Sequence, residues 1–368
     1  MTQSWMRHLA LCALCMLNAD GCADDATEGS AYAASGAGRG GKSGSGSAAV
    51  SGSSAGNAAA AVERGRYLVE NMGACGDCHT PRKPDGSFDM AQWLAGVDCF
   101  ADADPQNPDF GCISSRNLTN DETGLKNRSD QQIKDMLVKG ERPSDSGGKP
   151  DALHPIMPYW VLGNMSAADV NAMVAYLRTV PGVNHRVQAR QDPFNVSAPA
   201  PLFPEAKIPM PRADYPQRSA AVRGRYLAGN LGICLECHTP RDAMGGPLVD
   251  RAFQGGRAFA REELGLPPVF PAMIYTSNIT PDDTGIGGWS VQDVVNAIKQ
   301  GMDKEQKPLC PPMPSGPMAP FGGITDTDAE DIAHYVLSIP AAANMIPAEC
   351  TPPQPPGSGQ PDGGGDAG

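Results

Sequence analysis

The sequence predicts an all-α fold in two tandem units, each a few short helices joined by long loops. Three observations carry it. The middle of the chain is written twice at a nearly constant offset. Serine and threonine capping signals recur at matching places in both copies, and a terminating glycine closes the middle helix in each. Aromatic residues are only 6% of the 368, and Gly and Pro number 43 and 35. Each copy therefore has a thin core of its own, and something else must fill it.

Taken in order, the chain opens with Arg7 and His8 ahead of the apolar run Leu9 to Leu17, then small residues at Ala19-Asp20-Gly21. Residues 1–21 read as an export signal peptide, which implies a compartment where disulfides persist. The apolar run is about half a membrane span, so no transmembrane helix is expected. Residues 22–60 are Gly, Ser and Ala with almost no large apolar side chain, and read as a flexible tether. The Pro- and Gly-rich tail 351–368 reads the same way.

Arg64-Gly65-Arg66-Tyr67-Leu68 recurs as Arg223-Gly224-Arg225-Tyr226-Leu227, an offset of 159. Asn117-Leu118-Thr119 with Asp121, Thr123 and Gly124 recurs as Asn278-Ile279-Thr280 with Asp282, Thr284 and Gly285, an offset of 161. Tyr176 pairs with Tyr335. Domain boundaries of 61–185 and 220–350 follow, joined by a linker at 186–219. The linker's seven prolines predict a semi-rigid extended strap lying along a domain surface. A first helix is expected from Val62 to Met72 and again from Val222 to Leu231. A middle helix follows Ser129 and stops at Gly140, with its copy between Ser290 and Gly301. The last helix follows Ser166 and, in the copy, Thr325. Gly65 and Gly224 would let the first helix lie close to Tyr176 or Tyr335 on the last.

The chemistry lies in Cys75-x-x-Cys78-His79 and its copy Cys234-x-x-Cys237-His238. This spacing is the attachment pattern of c-type haem: two thiols on one turn add to the porphyrin vinyl groups, and the next residue places an imidazole over the iron. Two other uses stay open. A redox dithiol needs a βαβ setting, and a four-cysteine zinc site would have to join pairs 159 residues apart. For the sixth iron ligand, Met157 and Met313 share a Pro-x-Met-Pro frame, 78 and 75 residues after their histidines. Met318 is the rival in the second unit, and His154 the rival in the first. His185 and His334 read as ordinary surface residues. The Asn117 and Asn278 segments read either as loops lending donors to the haem propionates or as plain turns. Of the other cysteines, Cys12 and Cys15 leave with the signal. Cys99 and Cys112 flank an insertion found only in the first unit, while Cys310 and Cys350 bracket the end of the second. Two disulfides, 99–112 and 310–350, are expected.

With Asn278 to Trp289 added to these motifs, the chain over 61–347 resembles a dihaem class I cytochrome c. It is most similar to the multihaem cytochrome c subunits of bacterial alcohol, aldehyde and gluconate dehydrogenases. That resemblance implies two covalently attached haem c groups and single-electron transfer between an extracytoplasmic dehydrogenase, or another donor, and the respiratory chain. Two departures stand out: such subunits usually carry three units, and Arg128 stands where the second unit has Trp289. The rival class is a dihaem enzyme, a peroxidase or sulfur-compound dehydrogenase, with one open iron site. A haem that is only structural is a third possibility. A net charge of −12 disfavours nucleic acid and implies redox partners with a basic docking patch. Cys22 resembles the acylated first residue of a bacterial lipoprotein, which would tether an exported, periplasmic protein to a membrane.

Overall fold

Each half begins with a helix that runs into a π-helical turn. The computed structural model describes residues 50–346 except 85, 103–110, 145–146, 189–195, 197, 243–244, 262–263, 265, 267 and 317. The expected signal peptide, Cys12, Cys15, Cys22, most of the tether and the tail with Cys350 lie outside the described residues.

Helix α1 spans Val50–Tyr67 and continues as the π-turn Leu68–Met72. It starts twelve residues before the expected Val62, inside what reads as tether. The run Ala58 to Ala61 explains this, because alanine loses least on entering a helix, and these turns extend outward into solvent. In the copy, α6 covers Arg218–Tyr226 and its π-turn Leu227–Leu231. Short helices α2, Cys75–His79, and α7, Cys234–Cys237, follow.

The middle helices fall where their caps place them. Helix α3, Asp130–Lys139, is capped by Ser129 and Gln132 reciprocally and ends at Gly140 in the left-handed region. Helix α8, Val291–Gln300, has the same box from Ser290 and Asp293 and ends at Gly301. A one-turn helix α4, Tyr159–Leu162, precedes α5, Ala167–Leu177. In the second half a 3₁₀ turn at Pro320–Gly323 precedes α9, Asp326–Val336. Ser166 and Thr325 cap α5 and α9. Helix α1 lies on α5 and α6 on α9 at very short range. A Cβ on Gly65 would stand 1.9 Å from the Ala172 carbonyl oxygen, and one on Gly224 would stand 1.8 Å from that of Asp331.

The fold is mainly helix and loop, but not purely α. Two-stranded antiparallel ribbons pair β1, Val97–Asp102, with β2, Cys112–Ser115; β3, Glu141–Arg142, with β4, Asp151–Ala152; and β5, Ala258–Ala260, with β6, Met273–Tyr275. This also corrects the segment bounded by Cys99 and Cys112. The β1–β2 hairpin has a counterpart in β5–β6, so it is not an insertion particular to one half. Only its Cys99–Cys112 disulfide is particular. Cys310 is disulfide-bonded as well, whereas its expected partner Cys350 falls outside the described residues.

The strap does more than lie on a surface. The Phe203 N–H donates to the Trp160 carbonyl at 2.7 Å, and the Tyr335 hydroxyl donates to the Pro209 carbonyl at 2.9 Å. Phe203 and Ile208 sink fully into a core that is continuous through both halves. The halves also brace each other reciprocally. Tyr67 donates to Asp328 and Tyr226 to Asp169, both at 2.7 Å. Asn71 donates to the Pro320 carbonyl at 3.0 Å, and its counterpart Asn230 to the Asn164 carbonyl at 3.1 Å. Each bond has a mirror partner at the repeat offset, as in a contact between two identical subunits.

Candidate functional site

Both Cys-x-x-Cys-His segments are launched from the seam by the same backbone device. After each π-turn a glycine N–H closes back, Gly73 to the Leu68 carbonyl and Gly232 to the Leu227 carbonyl. The next residue, Ala74 or Ile233, takes a left-handed conformation with φ of 45° or 50°. A left-handed residue without glycine is strained, and it turns the chain sharply into the cysteine helix. One turn of helix then sets the two thiols of each pair on neighbouring positions. All four, Cys75, Cys78, Cys234 and Cys237, are free thiols, half-buried against the core.

The histidines are held alike. His79 Nδ1 lies 2.7 Å from the Arg116 carbonyl oxygen, and His238 Nδ1 lies 2.8 Å from that of Ser277. A carbonyl only accepts, so Nδ1 carries the hydrogen and Nε2 keeps its lone pair for a metal. Burial holds both imidazoles below their ordinary pKa, in part offset by that hydrogen bond, which favours the neutral, ligating form. The main chain of each histidine is tied down too, since its carbonyl accepts from Gly96 or Gly255. Behind it, buried Thr80 and Thr239 accept through their hydroxyl oxygens from the N–H of Leu94 and Phe253. Leu94 and Phe253 are again left-handed, with φ of 59° and 65°.

The surroundings differ in volume. Gly76 lies flat under Trp93, where a Cβ would come within 2.3 Å of the indole. The second half carries Leu235 and Ala252 at these two positions, both buried. Small-with-large has become large-with-small, which keeps the space filled.

Met157 and Met313 are both half-buried and packed on the core. Met318 is 98% exposed, which leaves its sulfur in solvent. His154 Nδ1 accepts from the Ile156 N–H at 3.1 Å, so that nitrogen is taken up within its own loop. His185 stands between the Ala95 carbonyl and Asp98, and His334 meets the Tyr215 hydroxyl. The asparagine segments are a latch. Asn117 Nδ2 donates to Thr123 Oγ1 and to the Val183 and His185 carbonyls, and Asn278 Nδ2 to Thr284 Oγ1 and the Ala342 carbonyl. Of the two uses expected for them, these side chains serve the turn, and their donors fasten the segment after the last helix.

The zinc alternative fails on placement. Among the described residues no three His, Cys, Asp or Glu side chains gather so as to hold a metal ion, so the two cysteine pairs do not form one site. Burial pushes the thiols of Cys75, Cys78 and Cys234 up to about 12, the reverse of an activated dithiol. What remains fits haem c: paired thiols on one turn, an imidazole with Nε2 available, and a half-buried thioether in each half. Two features escaped the sequence. One is the pair of histidine-holding carbonyls, for which no side-chain signal exists. The other is a cluster of Glu236 with Arg241 and Arg257, visible only as isolated charges.

No protein-family profile matches the chain. It is 30% identical over 296 residues to the fructose dehydrogenase cytochrome subunit of Gluconobacter japonicus, covering 77% of this chain and 53% of that protein. It is 28% identical over 287 residues to the gluconate 2-dehydrogenase cytochrome c subunit of Pantoea cypripedii, covering 75% and 56%. A 41-residue stretch is 58% identical to a dihaem c-type cytochrome of Cereibacter sphaeroides, covering 11% of this chain and 14% of that one. The chain thus spans about half the length of the curated dehydrogenase subunits it matches. On these likenesses and on the geometry of its two attachment turns, the chain is a relative of the multihaem cytochrome c subunits of bacterial dehydrogenases.

Proposed function

We propose that this chain is a dihaem electron carrier in two cytochrome c domains of the class I kind. It would hold one haem c at Cys75, Cys78 and His79 and one at Cys234, Cys237 and His238, with Met157 and Met313 as sixth ligands. A haem so held supplies a single-electron couple, and a methionine on the sixth position leaves no room for substrate. The observation that carries this is the matched pair of histidines, each with Nδ1 fixed on a backbone carbonyl. The chain's own part is to keep ligands still. The Arg116 and Ser277 carbonyls orient the imidazoles, the left-handed Ala74 and Ile233 aim the thiols, and the core side of Met157 and Met313 keeps water off the iron. The exposure of Met318 supports Met313 as the second-half ligand.

The relatives' names support a donor that is a periplasmic dehydrogenase, with the respiratory chain as acceptor. Among the described residues no helix is long and apolar enough to cross a membrane. An exported protein tethered through a lipid on Cys22 would meet both partners at the membrane surface. With a net charge of −12, docking to a basic patch should slow as salt rises. The test is the intact mature protein made with a functioning haem-maturation system. Its mass should exceed the polypeptide's by two haems, and the reduced form should bind carbon monoxide poorly. Absence of covalent haem overturns the proposal. Ready carbon monoxide binding at one haem favours the dihaem enzyme instead.

A further inference from the structure

The two attachment turns sit in opposite electrostatic surroundings. In the second half, Glu236 lies between the two cysteines with its side chain 11% exposed, and Arg241 and Arg257 close on it at 18% and 17%. Arg241 Nη2 reaches Glu236 Oε1 at 2.9 Å, and Arg257 Nη1 bonds the same oxygen. Both guanidiniums also lie over rings, Arg241 over Trp160 of the first half at 4.7 Å and Arg257 over Phe259 at 4.4 Å. In the first half, Asp77 takes the place of Glu236 and Arg82 that of Arg241, bonded at 3.0 Å, but Arg82 is 49% exposed. The position of Arg257 is taken by Asp98, which accepts from the Gln188 N–H at 2.9 Å and faces His185 at 3.4 Å. The Cys78 thiol is faced by Asp77 and Glu236 with Arg82 opposing, whereas Cys237 is faced by Glu236 with Arg257 and Arg241 opposing.

One net negative charge therefore stands around the first turn and one net positive charge around the second. The positive one is buried, where solvent screens it least. An added electron is stabilised by positive charge nearby. Resting on the dihaem reading above, we propose that the Glu236–Arg241–Arg257 cluster and its counterpart Asp98 make the second haem the higher-potential site, so that a single electron on the chain settles there. In the step, the first iron goes from ferrous to ferric as the second goes from ferric to ferrous, with no atom transferred. The first half then faces the donor and the second the acceptor.

The experiment is a spectroelectrochemical titration of the full-length holoprotein, after its mass has established two covalent haems. Arg257→Gln should lower the upper midpoint, and Asp98→Asn should raise the lower one. Each narrows the gap and cuts several-fold the equilibrium that favours the second haem. Glu236→Gln should raise the upper midpoint and widen the gap. Opposite shifts from Arg257→Gln and Glu236→Gln separate a charge effect from a loosened turn, which would move both the same way. If Arg257→Gln destabilises the fold, Asp98→Asn at its half-exposed site still decides the matter. Midpoints that do not move, or substitutions that move the other wave, overturn this inference while leaving the dihaem function intact. A protein without two haems fails the earlier reading first.

Discussion

Helices α2 and α7 share their launch from a π-turn, their left-handed entry residue and their histidine clamp, yet almost nothing around them is alike. Gly76 under Trp93 corresponds to Leu235 with Ala252, and an exposed Asp77–Arg82 pair corresponds to a buried glutamate held by two arginines. The lesson is physical. Covalent attachment and axial ligation need distances fixed to a fraction of an ångström, and backbone hydrogen bonds from the main chain supply that in both halves. Volume and charge around the turn answer only to packing and to potential, so they can part company once the geometry is held.

The largest effect tests whether the halves are equal as attachment sites. Replacing Cys75 and Cys78 together by alanine, or Cys234 and Cys237, should each remove one haem, read as a drop of one haem in the protein's mass. Loss of both haems from either double variant would mean that one half cannot form without the other's. Next come the helix crossings. Gly65→Ala and Gly224→Ala each drive a Cβ into backbone oxygen, which cannot give way as a flexible side chain can. Each should cost about 3 kcal/mol or more in denaturant unfolding. A neutral result at either site would show that its helix pair separates more easily than the other.

The smallest effects lie at the seam. Tyr67→Phe and Tyr226→Phe each remove one bond to a carboxylate and should cost about 1–2 kcal/mol, nearly equally. The carboxylates themselves differ, because only Asp169 also takes Arg64, at 2.8 Å. Burial raises the Asp169 pKa, but the bonds from Arg64 and Tyr226 outweigh it and hold it below its ordinary 3.8. A depressed carboxylate stabilises the fold fully above its unfolded value, and that stabilisation is lost as pH falls through the folded value. Denaturant midpoints from about pH 6 down to about pH 2 should therefore fall less steeply for Asp169→Asn than for the wild type. An unchanged slope would remove Asp169 from the seam's acid response.

Much of the molecule is legible in the chain because it rests on short-range bonds. Ser129, Ser166, Ser290 and Thr325 each cap a helix within three residues of themselves, so those starts are readable to the residue. The close crossings at Gly65 and Gly224 follow from a side chain that is missing, which is itself a signal. The start of α1 escapes because the alanines of 58–61 look like tether by composition and like helix by propensity. The β1–β2 hairpin looks like an insertion because its partner strand pair β5–β6 has no matching cysteines. The two uses of Asn117 and Asn278 stay undivided in the sequence because the carbonyls of Val183 and Ala342 that claim them lie more than sixty residues away.

By itself the sequence determined the duplication, the capped helices and the four thiols and two imidazoles at thioether spacing, since each is written in residues a few positions apart. Only the tertiary structure decided the reciprocal bracing through Tyr67 and Tyr226, the insertion of Phe203 and Ile208 into a common core, and the meeting of Glu236 with Arg241 and Arg257. Those contacts join residues up to 261 positions apart. Their partners are chosen by how the helices pack and where the strap crosses, and no local pattern encodes that choice.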